Sequence, residues 1–224
     1  MISLVKQIPK LSLPYAEVVK INCNYNLYPD VSLFWVQDSD SAVISMLDGN
    51  MVIYNNAANI DELREFIGVI SPVSIFSDSE TLTCLFGQDF HKVCVVKSEH
   101  KFKSDVKSHT VSSQEIYNLL SVKGLELPSY EYFAVDFCHR LNHGGLKYFA
   151  LNGLCAAVGI YDESTTLVNG IASHQKGMGT TALYGLLSQF DTVSLAVCEE
   201  NVMPFYLKNN FSLAYYAGYW RKNS

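Results

Sequence analysis

The sequence predicts an α/β (α+β) fold, a mixed central sheet flanked by helices, on three observations. β-branched and apolar runs of strand length alternate with segments whose apolar residues recur at helical spacing. Asp48-Gly49 and Asn152-Gly153, both strong hairpin dipeptides, each separate two strand-like runs. One stretch, Thr165 to Phe190, passes from a strand through a polar loop with two glycines straight into an amphipathic helix.

From the N-terminus, apolar and polar positions mix around Pro9, Pro14 and Pro29, with a short helix expected over Tyr15–Asn22. Strands are expected over Val31–Val36, Ala42–Leu47 and Met51–Tyr54. Asp61–Ile67 reads as a helix with acidic residues in its first turn, where the helix dipole favours them. A strand at Val73–Phe76, a helix at Ser79–Phe86 and a strand at Val93–Lys97 follow. Glu99–Ser108 is polar and lysine-rich, which reads as a solvated connector and as the boundary between two domains, 1–104 and 105–224. Ser112 and Glu115 then form a capping box opening a helix that carries Ile116, Leu119 and Leu120. After Lys123-Gly124 and Pro128 a second helix runs from about Ser129 to Asn142, stopped by Gly144-Gly145.

Lys147–Leu151 and Leu154–Tyr161 are strands around Asn152-Gly153. The strand Thr165–Ser173, its glycine loop and the helix Thr180–Phe190 come next, then a strand at Thr192–Cys198. A short helix over Asn201–Asn209, with Asn210 suited to a left-handed cap, precedes an aromatic strand, Phe211–Trp220.

Composition bounds the rest. The 224 residues are 49% hydrophobic and 17% charged, enough for a sizeable core and against disorder. Net charge is −6 with no basic stripe, so no nucleic-acid partner is expected. Six cysteines stand singly in apolar segments without a C-x-x-C pair, the pattern of buried reduced thiols. No run of eighteen apolar residues occurs, so no membrane partner is expected and a cytoplasmic location is.

The chemistry concentrates at Ser173 to Thr180. The first turn of a helix leaves backbone N–H groups unpaired and carries the positive end of the dipole, and glycines let the chain close around an anion. A nucleotide P-loop needs Lys-Ser/Thr after its last glycine, whereas Thr180-Thr181 follow here. A dinucleotide fingerprint, Gly177-x-Gly179-x-x-Ala182 with Glu199 about 20 residues on, fits better. Against it, His174, Gln175 and Lys176 separate the strand from the first glycine, and little chain remains after Glu199.

Strand, basic Gly-x-Gly loop, helix, strand, then Asn201 and Pro204–Phe211, resembles the GNAT N-acetyltransferase superfamily. That family's pyrophosphate loop runs Arg/Gln-x-x-Gly-x-Gly/Ala, and its next helix ends in a Tyr-x-Lys-x-Gly-Phe-like segment. Gly177, Gly179, Tyr206, Lys208 and Phe211 match. His174 stands where Arg or Gln is usual, Asn210 replaces the glycine, and the loop after the strand is several residues shorter. The resemblance covers the last third of the chain closely and the middle loosely. The second half also follows the element order a GNAT domain implies. The first half runs through much the same order, but its corresponding loop, Asn55–Asn59, has no glycine pair. The resemblance thus implies two tandem GNAT-like halves, the first degenerate.

It further implies acetyl-coenzyme A as cofactor and an amine, small-molecule or peptide, as acceptor. Backbone groups of Ile171, Ala172 and Ser173 would bond the pantetheine arm and polarise the thioester carbonyl. The N–H groups of Gln175, Lys176, Gly177, Met178, Gly179 and Thr180 would hold the pyrophosphate, with Lys176 adding charge and Asn201 resembling the family asparagine before the next helix. Tyr206 would protonate the leaving thiolate. Among bases, Glu199 and Glu200 lie nearest by topology, and Glu199 is the candidate. No cysteine sits beside a histidine as a nucleophile, so direct attack in a ternary complex is expected, in a monomer or homodimer. His139 and His143 stand one helical turn apart, but no third ligand accompanies them and no metal is expected. A non-catalytic acyl-coenzyme A sensor and a dinucleotide binder remain open as alternatives.

Overall fold

A computed structural model describes residues 1–11, 13–121 and 127–222; the Lys123-Gly124 break lies outside them. The chain runs β1 (Ile2–Leu4), α1 (Ala16–Leu27), β2 (Leu33–Gln37), β3 (Ala42–Leu47), β4 (Asn50–Asn55), α2 (Ile60–Ile70), β5 (Ser74–Asp78), α3 (Ser79–Phe86) and β6 (His91–Ser98). It continues through α4 (Ser113–Ser121), α5 (Tyr130–Asn142), β7 (Leu146–Leu151), β8 (Cys155–Tyr161), β9 (Thr165–Ser173), α6 (Met178–Leu187), β10 (Val193–Cys198), α7 (Met203–Leu207) and β11 (Ser212–Arg221).

Local chemistry accounts for most of these bounds. Ser112 and Glu115 bond reciprocally, Glu115 N to Ser112 Oγ at 3.2 Å and Ser112 N to Glu115 Oε2 at 2.8 Å. Asn59 and Asp78 cap α2 and α3, accepting from the N–H of Glu62 and Thr81. Asp48 and Gly49 both take left-handed backbone, at φ 51° and 75°, as a two-residue hairpin turn requires. At Asn152-Gly153 only Gly153 does. Asn210 takes the expected left-handed conformation, at φ 67°.

Three elements depart from the sequence reading. Helix α1 extends to Leu27, because its asparagines are engaged away from their own backbone. Asn22 Nδ2 donates to Leu11 O and Asp162, and Asn24 Nδ2 to Ser45 Oγ. Strand β1 was not expected; its three residues pair with Trp35–Gln37 and are too few to show a period. Helix α7 is only five residues long.

The strands form one sheet in the order β1-β2-β3-β4-β5-β11-β6-β10-β9-β8-β7. Among the described residues only β4/β5 and β9/β10 are parallel neighbours. The last strand of each half crosses over: β11 lies between β5 and β6, and β6 between β11 and β10. A single sheet therefore runs unbroken through the 1–104 and 105–224 segments.

Alternation along β6 shows the layers. Val93 and Val95 join α1, α4 and α5 in one core, while Cys94 and Val96 face the other side with α6 and α7. Helices α2 and α3 cover the first half on a third apolar cluster. In the lysine-rich connector after β6, Phe102 is buried edge-on against Tyr184 and anchors it, while Val106 is exposed. Among the described residues no helix is long and apolar enough to cross a membrane.

Candidate active site at the β9/β10 splay

Strands β9 and β10 pair in parallel only over Thr165–Val168 and Val193–Ala196. On the other edge of β9 the register with β8 shifts between Gly170 and Val168, leaving Asn169 as a bulge. A bulge bends its strand and adds twist. Here it coincides with the point where β9 parts from β10, and a V-shaped cleft of about 1220 Å³ opens beyond it. Val168–Ser173 form one wall, and Val197–Glu199, Phe205 and Tyr206 the other, with Gly179 at one end. Gln88–His91 from the first half, with Tyr219 and Arg221 on β11, complete it.

At the head of α6, Gly177 is the N-cap, at φ 89° and ψ −26°, a left-handed conformation that glycine adopts without strain. At Gly179 a Cβ would meet Phe205 Cε2 at 3.4 Å, an ordinary van der Waals contact. Gln175, Lys176, Gly177 and Thr180 are exposed. Among the described residues none accepts from the N–H of Gln175, Lys176 or Gly177, whereas Met178 N donates to Gln175 O at 3.2 Å within the loop. The loop thus presents N–H groups outward at a helix N-terminus.

Tyr206 is 3% exposed and held edge-on by Phe205 and Phe211, with ring centroids 5.1 and 5.3 Å away. Burial raises its phenol pKa, with Cys198 adding, so the proton stays on the oxygen. Cys198, also in the cleft wall, has its thiol pushed up to about 12 by burial, with Cys94 and Glu199 adding. Glu199 Oε1 lies 2.7 Å from His91 Nε2.

Of the residues singled out from sequence, Ile171, Ala172, Ser173, Gly179, Glu199 and Tyr206 meet in this cleft. Gln175, Lys176, Gly177, Met178 and Thr180 stand on the adjoining loop and first turn. Asn201 is exposed and outside the lining. His139 and His143 are remote, with His139 Nε2 bonded to Leu27 O and His143 Nδ1 to His139 O. The sequence reading missed Asn169 and the whole Gln88–His91 wall. His91 is 108 residues from Glu199, and no local pattern announces their meeting.

Solved structures share this architecture across nearly the whole chain. A GNAT-family acetyltransferase from Colwellia psychrerythraea aligns with a TM-score of 0.52 at 9% identity, covering 99% of this chain and 100% of that one. The fold is that of the GNAT acetyltransferases. A putative acetyltransferase from Pyrococcus horikoshii aligns with a TM-score of 0.57 at 9% identity, over 92% of this chain and 78% of that one. A tandem GNAT protein from the clavulanic acid biosynthesis pathway gives 0.54 at 10% identity, over 97% and 90%. No protein-family model and no curated protein sequence matches the chain. At these identities the likeness is one of GNAT fold.

Proposed function

We propose that the protein is an N-acetyltransferase that takes its acetyl group from acetyl-coenzyme A and passes it to a small-molecule or peptide amine in the cytoplasm. In this reading it comprises two tandem GNAT-like halves, 1–104 and 105–224, that exchange their final strands, and the second half carries the site. One observation supports this above the others: an outward-facing glycine loop at a helix N-terminus and a buried, protonated tyrosine border the same open cleft.

The residues present fit the cofactor. Donors with no protein acceptor, at Gln175, Lys176 and Gly177, suit a pyrophosphate, and the first turn at Gly179 and Thr180 adds the helix dipole. Beyond Val168 the β9 edge facing β10 has no strand partner, so backbone groups at Ile171–Ser173 are available to an extended amide arm. Acetyl-coenzyme A, when bound, supplies the acyl group as a thioester. Tyr206 holds a proton for the departing sulfur. Glu199, on the same wall as Tyr206, offers negative charge to receive a cationic amine. Cys198 stays a thiol at neutral pH, which argues for direct attack by the amine rather than transfer through this cysteine. Asn201, outside the cleft, would touch the cofactor only from its rim.

Calorimetric titration and thermal shift with acetyl-coenzyme A, beside NAD, test the assignment. The expected result is binding of acetyl-coenzyme A alone, with acetylation of at least one member of an amine panel. Binding without any acetylation identifies a sensor instead, and a response to NAD alone identifies a dinucleotide protein.

A further inference from the structure

We propose that His91 is the proton acceptor for the incoming amine and that Glu199 positions its ring; this rests on the acetyltransferase reading above. His91 opens β6, a strand from the first half of the chain that lies between β10 and β11. The pairing of β10 with β6 ends at Cys198 and Cys94, so His91 lies past the end of β10, at the mouth of the V. There the ring lines the cleft that also holds Tyr206.

Glu199 Oε1 lies 2.7 Å from His91 Nε2. A carboxylate only accepts, so Nε2 carries the hydrogen and the neutral ring keeps its lone pair on Nδ1. A histidine so oriented by a carboxylate is the arrangement a general base needs. Both side chains remain more than half exposed, so an amine and water can reach them. The titratable and charged groups around His91 are Asp89 and Lys92 on its own segment, Cys198 and Glu199 beside β10, Tyr206 on α7, and Tyr219 and Arg221 on β11. Lys92 is drawn off over the Tyr216 ring, at 3.9 Å.

The step balances. His91 Nδ1 takes one proton from the ammonium, and the freed nitrogen lone pair forms the C–N bond. The C–S bond breaks with its electron pair on sulfur, which takes the Tyr206 proton. The amide nitrogen's surplus proton returns to the phenolate through water, and His91 releases its own to solvent. The net products are amide, thiol and one proton.

The test uses the full chain with acetyl-coenzyme A and three acceptor probes: 2-phenylethylamine, spermidine and free lysine. His91→Ala is expected to bind acetyl-coenzyme A as the wild type does, to lose about 10²–10⁴-fold in kcat, and to lose the acidic limb of the kcat/KM–pH profile. Added imidazole should restore part of the rate. Glu199→Gln is expected to cost about tenfold in kcat, within the range for a positioning group's loss, with KM little changed. Without any ligand, the ring-nitrogen NMR shifts of His91 should report hydrogen on Nε2 in the wild type and a mixture of tautomers in this variant. Full rate and an intact acidic limb in His91→Ala, with the coenzyme bound, overturn the assignment of His91 alone. So does coenzyme binding with none of the three amines acetylated by the wild type. Failure of the wild type to bind acetyl-coenzyme A removes the underlying function and the inference together.

Discussion

The sheet parts twice, once between β4 and β5 and once between β9 and β10, and the two gaps are finished differently. In the first, parallel pairing stops at Val52 and Phe76, and side chains stitch the strands together beyond it. Ser77 Oγ donates to Ile53 O at 2.9 Å, Asn55 Nδ2 to Thr81 Oγ1 at 2.8 Å, and Thr81 Oγ1 to Asp78 Oδ2 at 2.6 Å. Tyr15 packs between Tyr54 and Tyr215 over the same place, and the Tyr215 hydroxyl reaches Glu17 Oε2 at 2.6 Å. The following loop spends its N–H groups inward: Asn56 and Ala57 on Ser41 O, Ala58 on Asn55 Oδ1, and Asn59 on Gln37 Oε1. In the second gap the strands diverge without such stitches, and loop donors face out. A splay between parallel strands is therefore a permission for a ligand site; the side chains behind the gap decide whether one exists.

The largest effect that would sharpen this contrast is chemical. Tyr206→Phe is expected to lower kcat by about 10²–10⁴-fold, the range for loss of a general acid. Acetyl-coenzyme A affinity, measured by calorimetry, should stay within a few-fold, because the ring and its packing remain. Unchanged kcat would remove the open gap's claim to chemistry.

The closed gap carries the next largest effect, and it appears as pH dependence. Glu17 is 2% exposed; burial raises its pKa to about 7 from an ordinary 4.5, against the Tyr215 hydrogen bond that lowers it. Among the described residues its Oε1 has no hydrogen-bond partner. The folded protein thus holds a proton that the unfolded chain has released. Stability from this group is full below about pH 4.5 and falls as pH rises to about 7, by about 3 kcal/mol at ~1.4 kcal/mol per pH unit. Urea denaturation of Glu17→Gln beside the wild type should show that slope only in the wild type. An equal slope in both would mean that the first gap admits water to Glu17.

A third change makes the open loop resemble the closed one. Gly177→Val forces a β-branched residue into left-handed backbone, which costs about 1–3 kcal/mol or rearranges the loop. Acetyl-coenzyme A should bind at least tenfold more weakly, an order-of-magnitude expectation for losing one set of pyrophosphate donors. The first half is expected to keep its hydrogen-exchange protection.

What the sequence revealed follows the range of its signals. Turns and caps were legible because they are settled within a few residues: Asp48-Gly49, the Ser112–Glu115 box, Asn210. The order of elements and the glycine loop were legible for the same reason. The exchange of β6 and β11 was not, since pairing such as Lys97 with Ser212 depends on partners half a chain away. Glu17 reads as an acid suited to a helix's first turn; its burial under Tyr215, 198 residues on, belongs to tertiary packing. Asn169 carries no bulge signature, because the bulge arises from β8 and β9 registering on either side of it. Of the candidate cleft, the glycine loop and Tyr206 were thus visible in local pattern, and the wall that the first half contributes was not.

The smallest expected effect tests whether the two gaps are independent. Ser77 is fully buried, and its hydroxyl bridges to Ile53 O where the β4/β5 ladder has ended. Ser77→Ala leaves that carbonyl without this donor, at a cost of about 1 kcal/mol, read as a lower denaturant midpoint with an unchanged m-value. Native-state hydrogen exchange should quicken at β4 and β5 and stay as it was at β9 and β10, because no hydrogen bond of the stitch reaches across β11 and β6. Acetyl-coenzyme A affinity should not move. If it does, the first gap is mechanically coupled to the second through the exchanged strands, and the closed half is a regulator of the open one rather than its sealed counterpart.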